Sequence, residues 1–534
     1  MKDRNFAFHH PAAFWTGCLA IVCGVLTHVP MFMMGANNGY RMAGMPMDNL
    51  MLTGMAMIPA GLLLATYGLM PRFGLMPRSS HAAPLQFHVA DSVPLNAEHW
   101  KLVAVLVVAL VVDVLKPATL GFVLPGMSRE YEITRESASV LALVALTGTT
   151  VGSVLWGRMA DLFGRRSAIL LSALMFAGTA ICGAMPSFEW NLAMCFLMGA
   201  SAGGLLPITF TLMAETVPAR HRGWLLVALG GIGASGGYLL GAGAAAWLEP
   251  LFSWRALWLL GLPTGLLIIF MGRFIPESPR FLASIGLQDE ARSVLARFAG
   301  PRGVEPVAPD RADDVVPRLA AAGLPQLLRG QHAAITWGLV LCGVAWGLAN
   351  FGFLLWLPTN LGRMGMDASS ASALLTRSAL LALPGTALVV WLYHHWSSLK
   401  SLVTFISLTA LALLLFFALG LAEVKSSGAM VAATALLLVS SSGVIAMLIP
   451  YAAEIYPVHL RGTGSGLVAA GSKFGGILGA LCGVLGLFSH FAASALLIAL
   501  PMALGAAMLW KNGVETRGRR LEDIQHTLGA ARAP

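Results

Sequence analysis

The sequence predicts an all-α membrane protein with about 14 transmembrane helices, arranged as two parallel six-helix repeats that follow an extra N-terminal helix pair. Three observations predict this fold class: the composition, the number of long apolar runs and an internal repeat. Of the 534 residues, 57% are apolar and only 11% are charged, and the mean hydropathy is +0.75. Soluble domains carry roughly 25% charged residues. The composition therefore excludes most soluble enzymes, disordered proteins and nucleic-acid binders.

The apolar runs are long enough to cross a bilayer, whose hydrocarbon core takes about 20 residues of helix. Fourteen such runs lie near residues 12–34, 50–70, 102–126, 137–156, 167–186, 190–213, 224–247, 256–275, 333–357, 371–393, 401–422, 428–452, 463–488 and 491–510. The first run could instead be a signal peptide. Its apolar stretch is too long for one, so we expect it to be retained.

The basic residues indicate the orientation of the chain. Placing both termini in the cytoplasm puts most of the 34 lysines and arginines on that side, including Arg158, Arg165 and Arg166 in one short loop. Short loops rich in Lys and Arg face the cytoplasm. We therefore expect a multi-pass protein of the inner (plasma) membrane with both termini cytoplasmic. The net charge of +9 then reflects topology, and we expect the lipid bilayer and no nucleic acid as a partner.

Two polar stretches divide the chain. Residues 1–100 are predicted to form the N-terminal helix pair and a linker, and 101–276 a six-helix bundle. Residues 277–332 are predicted to form a cytoplasmic loop, 333–511 a second six-helix bundle, and 512–534 a cytoplasmic tail.

The two predicted bundles share a sequence pattern. Ala214-Glu215-Thr216-Val217-Pro218 leads to Arg222-Gly223, and Ala453-Glu454-Ile455-Tyr456-Pro457 leads to Arg461-Gly462; the two stretches lie 239 residues apart. Both read A-E-x-x-P-x-x-x-R-G and follow the fourth span of their half. Six spans per half make the repeats parallel, which is how one class of secondary transporter is built.

The stretch Gly157-Arg158-Met159-Ala160-Asp161-Leu162-Phe163-Gly164-Arg165-Arg166 resembles the signature loop of the major facilitator superfamily. Pro276-Glu277-Ser278-Pro279-Arg280-Phe281-Leu282 and Glu515-Thr516-Arg517-Gly518 resemble the sugar-porter and organic-ion branches of that family. The run from Asn350 to Thr359 is more similar to the metabolite:proton symporters. The resemblance covers about residues 101–525 and implies a secondary transporter that works by alternating access, without a cofactor.

The resemblance also implies a cytoplasmic gate of ion pairs. Its candidate residues in the first half are Gly157, Asp161, Gly164, Arg165, Arg166, Glu215 and Arg222. Glu454 and Arg461 are their candidate counterparts in the second half. The alternative is a solvated loop whose arginines set only the topology.

Asp113 and Lys116 are ionisable residues inside a predicted span, where a charge is costly and indicates function. Their i, i+3 spacing places them on one face of the helix. We expect Asp113 to bind and release the coupled proton and Lys116 to contact an anionic group of the substrate. The alternative is a neutralising pair without a transport role.

Other polar residues of the predicted spans are candidates for substrate binding. They are Thr147, Trp346, Asn350 and Lys473. Each could instead be a polar residue that packs helices together.

Two departures from the family pattern bear on coupling. Cys195 stands where many relatives have an arginine, which makes proton coupling depend on Lys116. The glycine-rich span near 224–247 lacks the proline of the antiporter pattern, so export is less favoured.

The N-terminal helix pair is rich in methionine between residues 31 and 57. Thioethers are soft ligands suited to Cu(I), and Met42, Met45 and Met47 lie on a predicted outer loop. Methionine also fills apolar interfaces adaptably, and we expect no metal site. The six cysteines lie in apolar runs without ligand spacing, and no ATP-binding or hydrolase motif occurs.

We therefore expect a monomeric secondary transporter, not an enzyme, that moves a small organic anion of the carboxylate type together with H⁺. Two alternatives remain open. One is a Cu(I) or other soft-metal carrier that uses the methionine-rich segment. The other is a non-transporting membrane receptor built on a carrier scaffold.

Overall fold

The computed structural model of the protein describes residues 9–70, 87, 91–299, 324–329, 332–354, 357, 385, 387–422, 427–485, 487 and 491–530. Within these ranges the regular structure is helical and no strand occurs. The α-helices are α1 (Pro11–Leu26), α2 (Val29–Met34), α3 (Asn49–Leu69), α4 (Ala97–Glu130), α5 (Arg135–Phe163), α6 (Arg165–Gly178), α7 (Phe188–Thr216), α8 (Ala219–Phe252), α9 (Arg255–Leu259), α10 (Gly261–Met271), α11 (Pro279–Ser284), α12 (Gln288–Ala299), α13 (Leu324–Arg329), α14 (Ala333–Gly347), α15 (Ser398–Leu421), α16 (Ser427–Ile455), α17 (Arg461–Val484), α18 (Phe491–Asn512) and α19 (Leu521–Ala530).

Twelve helices in the described part of the chain are long and apolar enough to cross a membrane. They correspond to twelve of the fourteen predicted runs. The predicted run 102–126 lies within α4, a helix of 34 residues that is not among the twelve. The run 371–393 lies mostly outside the described residues. The all-α fold class is confirmed, and the described residues contain twelve candidate spans.

The first predicted run is not one uninterrupted helix. Helix α1 ends at Leu26, and α2 begins at Val29 with Pro30 in its first turn. Proline lacks the amide N–H that an interior helical residue donates, and its ring clashes with the preceding turn. The break at Thr27–His28 follows from Pro30. The apolar pattern alone does not predict such a break.

The chain divides into two compact units, one of Met1–Val217 with Ile232–Ala320 and one of Pro218–Gly231 with Ala321–Pro534. In the first unit, α1 and α3 pack along each other and both contact α6. In the apolar stretch of the span Arg165–Ala184, 94% of the residues are buried, a larger share than in any other candidate span of the described residues. The N-terminal pair therefore covers a side of α6 that lipid would otherwise contact.

A buried ion pair anchors the N-terminal pair at one end of the first unit. The Arg255 guanidinium lies 2.7 Å from Glu130 Oε1, and the backbone N–H groups of Met42 and Ala43 donate to the same oxygen at 2.7 and 3.1 Å. Burial opposes ionisation of Glu130, but the hydrogen bonds and charge of Arg255 outweigh it and hold the pKa of Glu130 below its usual value. The loop that joins α2 to α3 is thus fixed to the end of α4.

The predicted loop 277–332 is partly helical, because it contains α11, α12 and α13. Helices α11 and α12 belong to the first unit and α13 to the second. In the second unit, the short helix α19 buries Leu521, Ile524 and Leu528 in the apolar core. The predicted tail 512–534 therefore includes a packed helix.

Helices α5 and α7 approach so closely that their backbones touch. Ser153 Oγ donates to the Gly203 carbonyl at 2.9 Å, and Trp156 Nε1 donates to the Ala200 carbonyl at 2.8 Å. A Cβ atom on Gly152 would collide with the carbonyl group of Ala200. Small residues at such crossings let membrane helices pack at short distance.

We expect Gly152→Ala to lower the free energy of unfolding by about 1–3 kcal/mol, because the added methyl group forces two backbones apart. Thermal unfolding of the purified protein in detergent measures the change. Gly243→Ala in α8 is the matched control, since a Cβ there meets nothing within 4 Å. Equal melting temperatures for the two variants would contradict the close contact.

Candidate functional site

The first charged cluster consists of Asp161, Arg165, Glu215 and Glu277. The guanidinium of Arg165 lies 2.9 Å from Glu215 Oε1 and 3.4 Å from Asp161 Oδ1, and none of the three side chains is more than 1% exposed. The cluster joins α5, α6, α7 and the chain that follows α10. A buried charge must be paired, because the desolvation cost is otherwise too large. These acids therefore fix the ends of the helices that carry them.

Glu277 holds the start of α6. Its carboxylate accepts the backbone N–H groups of Arg165 at 2.8 Å and Arg166 at 3.3 Å. Gly164 precedes them with φ of +97°, and a Cβ atom there would collide with Glu277. Only glycine meets both requirements without strain. Gly157 lies one helix earlier, buried within α5.

The second charged cluster consists of Arg222, Tyr393, Glu454 and Thr516. Glu454 accepts hydrogen bonds from the Tyr393 hydroxyl at 2.9 Å and from Thr516 Oγ1 at 2.7 Å, and the charge of Arg222 acts on the same carboxyl. Arg222 also donates to the carbonyl of Arg519 at 3.2 Å. The cluster belongs wholly to the second unit.

Arg222 lies in the second unit, although in sequence it follows the fourth span of the first half. Residues Pro218–Gly231 belong to that unit, where the charge of Arg222 acts on Glu454. Arg461, its counterpart in the repeat, is also buried and donates through Nε to the Tyr456 carbonyl at 3.0 Å. The repeat aligns these arginines in sequence, but only the tertiary contacts show which acid each one meets.

Glu277 and Glu515 perform the same structural task in the two units. Glu515 accepts the backbone N–H of Ser398 at 3.0 Å, and the hydroxyl groups of Ser397 and Ser398 also donate to it. It thus holds the start of α15, as Glu277 holds the start of α6. Negative groups are favoured at helix N-termini, where N–H groups lack partners within the helix.

The pKa values of these two glutamates shift in opposite directions. Burial raises the pKa of Glu277 to about 7, against the opposing effect of three backbone N–H donors and the charges of Arg165 and Arg166. Burial also acts on Glu515, but hydrogen bonds from Ser397 and Ser398 outweigh it and lower the pKa.

Sequence analysis did not identify Glu277 and Glu515 as site residues. Both stand in motifs that carry the family resemblance, and both follow the last span of their half. The offset between them is 238 residues, close to the 239 of the other repeat. This second match between the halves is the sequence signal that could have identified both glutamates as site residues.

The candidate substrate residues fall in different units. Asp113, which is 4% exposed, and Thr147 belong to the first unit. The hydroxyl of Thr147 donates to the Leu143 carbonyl of its own helix at 2.8 Å. The backbone of Lys116 continues α4, and its side chain lies outside the described residues.

Trp346, Asn350 and Lys473 belong to the second unit. Asn350 donates to the Trp346 carbonyl at 2.9 Å, and Trp346 Nε1 donates to the Ser441 carbonyl at 2.8 Å. Residues Leu348–Leu354 form a π-helix, a form often found at functional sites. Lys473 is half-buried in α17. The structure therefore brings Trp346 and Asn350 together.

The apolar spans and the buried charged clusters define a multi-pass helical membrane protein. The chain belongs to the Major Facilitator Superfamily, whose family model matches residues 102–480. It is therefore a transporter and not an enzyme, and the match begins after the N-terminal pair.

Two curated relatives are similar over most of the chain. One is a niacin transporter, NiaP, of Acinetobacter baylyi, 26% identical over 81% of this chain and 98% of its own. The other is a 4-hydroxybenzoate transporter, PcaK, of the same organism, 27% identical over 78% of this chain and 92% of its own.

Solved structures share the fold. The proton:xylose symporter XylE of E. coli has a TM-score of 0.64 at 17% identity, over 81% of this chain and 99% of its own. The human organic anion transporter MFSD10 has a TM-score of 0.56 at 18% identity, over 77% of this chain and 99% of its own.

The two glutamates predict opposite dependences of stability on pH. A raised pKa in the folded protein means that the stabilising contribution of Glu277 is present below its ordinary pKa of 4.5 and is lost as the pH rises through about 7. We expect the stability of Glu277→Gln relative to the wild type to rise as the pH goes from 4.5 to 8, because only the wild type must then carry a buried charge at this position. Thermal unfolding between pH 4.5 and 8 measures the difference.

Glu515→Gln is the matched variant, with the opposite expected sign. The lowered pKa of Glu515 stabilises the fold at neutral pH, and this contribution is lost as the pH falls through the folded pKa. Glu515→Gln should therefore be less stable than the wild type at pH 7. A Glu277→Gln protein that is also destabilised at pH 8 would show that Glu277 acts as an ionised helix cap, and would overturn the prediction.

Proposed function

We propose that the protein moves a small organic anion of the aromatic carboxylate type across the inner membrane by alternating access, in symport with H⁺. The observation that carries the proposal is a buried acid, Asp113, in α4 of a chain whose relatives include transporters named for niacin and 4-hydroxybenzoate. Both named compounds are small aromatic rings with an acidic group. Asp113 takes up and releases the proton, and Lys116 contacts the substrate anion.

The burial of Asp113 supports the coupling step. An ionisable residue inside a membrane span is costly, and such residues mark proton relays in transporters. Asp113 lies on α4 together with Lys116, one turn apart. Thr147, Trp346, Asn350 and Lys473 supply further polar groups for the substrate.

The two charged clusters support a gate at the cytoplasmic side. Asp161, Arg165 and Glu215 are buried in one unit, and Glu454 is buried in the other with Arg222. Buried pairs of this kind are rigid when complete and unstable when one partner is lost. They suit a gate whose ion pairs form in one conformational state of the carrier and break in the other.

We further propose that the bundles 101–276 and 333–511 are the two moving parts of a monomeric carrier. Both termini lie in the cytoplasm, as the basic loops indicate.

The methionine-rich segment gives less support to a Cu(I) carrier. Met31, Met42 and Met51 are buried in an apolar cluster with Phe32 and Ala184. Packing accounts for their burial, since methionine fills irregular apolar gaps. Cu(I) uptake nevertheless belongs in the assay that tests the main proposal.

Uptake into proteoliposomes with an imposed pH gradient tests the proposal. We expect labelled nicotinate or 4-hydroxybenzoate to accumulate in the wild type only when the gradient is present. In Asp113→Asn we expect exchange of substrate to persist while accumulation above equilibrium is lost, because the coupled proton has no site. Uncharged nicotinamide is the ligand control and should not accumulate.

Asp289→Asn is the matched control variant, because Asp289 is an exposed carboxylate that lies 3.7 Å from Arg292. It should transport as the wild type does. Normal accumulation by Asp113→Asn would refute the coupling role. Cu(I) uptake that depends on residues 1–80, without carboxylate uptake, would favour the metal carrier, and ligand binding without any flux would favour a receptor.

A further inference from the structure

A short segment, here called the strap, consists of Phe87 and residues 91–99 and ends in the first turn of α4. It lies outside the part of the chain that the family model matches, which begins at residue 102. The strap nevertheless packs onto α11 and α12, whose residues lie almost 200 positions further along the chain. Its contacts therefore join residues outside the matched region to residues inside it.

The main contact of the strap is an ion pair between Asp91 and Arg280. Arg280 Nη2 lies 2.6 Å from Asp91 Oδ2, and the side chains are 2% and 3% exposed. The guanidinium also lies over the ring of Phe87, at 4.9 Å from its centroid. Two charges this deeply buried are compatible with folding only as a pair.

Arg280 links the strap to the first charged cluster. Its Nη1 donates to the backbone carbonyl of Glu215 at 2.8 Å. The side chain of Glu215 accepts the hydrogen bond from Arg165 at 2.9 Å. A continuous chain of hydrogen bonds therefore runs from Asp91 through Arg280 and the backbone and side chain of Glu215 to Arg165.

Further contacts hold the strap in place. Phe87 packs in an apolar cluster with Leu282, Leu287 and Leu295. The amide of Asn96 donates to the Phe298 carbonyl at 2.7 Å, while its oxygen accepts the backbone N–H of His99 and caps α4. The strap thus joins the start of α4 to α11 and α12.

We propose that Asp91 is a positioning residue of the first charged cluster: by holding Arg280 it fixes the backbone of Glu215, and thereby the Glu215–Arg165 pair of the proposed gate. The inference deepens the proposed function and rests on it for the role of the gate. The contacts also predict an effect of Asp91 that can be measured without a substrate. Loss of Asp91 leaves Arg280 without the partner that the strap supplies, and the disturbance passes to Glu215 and the start of α6.

Hydrogen exchange of the full-length protein in detergent tests the positioning directly. In Asp91→Asn we expect the backbone amides of residues 164–168 and 279–299 to exchange faster than in the wild type, by roughly tenfold, while amides in α15 and α16 are unchanged. Glu98→Gln is the control, because it removes an exposed strap contact, the Glu98–Arg297 pair at 2.8 Å, and leaves Asp91 intact. It should leave residues 164–168 unchanged.

Two results would overturn the inference. One is unchanged exchange at residues 164–168 in Asp91→Asn, and the other is an equal acceleration over the whole protein, which indicates general destabilisation. If Asp91→Asn does not fold, Asp91→Glu takes its place. It keeps the charge, lengthens the side chain by one methylene group, and should accelerate exchange at the same residues to a smaller degree.

Transport tests the link to the gate. We expect Asp91→Asn to reduce gradient-driven carboxylate uptake several-fold in an otherwise wild-type chain, and to have no further effect when Glu215→Gln has already broken the pair with Arg165. Interacting residues show such non-additivity, whereas independent ones add. Additive effects would assign Asp91 a purely structural role. If the wild type transports no carboxylate, the proposed function fails, while the hydrogen-exchange result still decides the positioning of Glu215 by Asp91.

Discussion

The burial of arginine charges constrains the structure more than any other interaction. In the part of the chain that the structure describes, five arginines are at most 2% exposed: Arg165, Arg222, Arg255, Arg280 and Arg461. Arginine stays protonated in proteins, so burial cannot be relieved by loss of the charge. Each group must instead meet acids or carbonyl oxygens. The positions of those acceptors, at helix ends and in connecting segments, decide how the helices join, because the apolar spans themselves specify no unique neighbour.

The two halves hold the buried acid of the repeat with different donor groups. In the first unit the acid of the repeat, Glu215, meets Arg165 directly. In the second unit its counterpart Glu454 meets two hydroxyl groups, from Tyr393 and Thr516. The charge of Arg222 also acts on this acid. The two clusters therefore hold the equivalent acids of the repeat with different sets of donors.

The sequence predicted what depends on local pattern and missed what depends on distant contacts. Hydropathy located the twelve spans, and the family resemblance grouped Asp161, Arg165 and Glu215, whose side chains lie in contact in the structure. The sequence did not indicate which acid the charge of Arg222 acts on, because a repeat aligns positions in the chain and says nothing about which acid is near in space. Asp91 could not have been predicted, since its partner Arg280 is 189 residues away and no pattern joins them.

The N-terminal extension is best understood through the helix that it holds. It contacts α4 at both ends: the loop after α2 hydrogen-bonds to Glu130 at the end of α4, and the strap caps its start through Asn96. Asp113 lies midway between these two anchors. A helix fixed at both ends has little freedom to tilt or slide within its bundle. Residues outside the part of the chain that the family model matches therefore hold both ends of the helix on which we place the coupled proton.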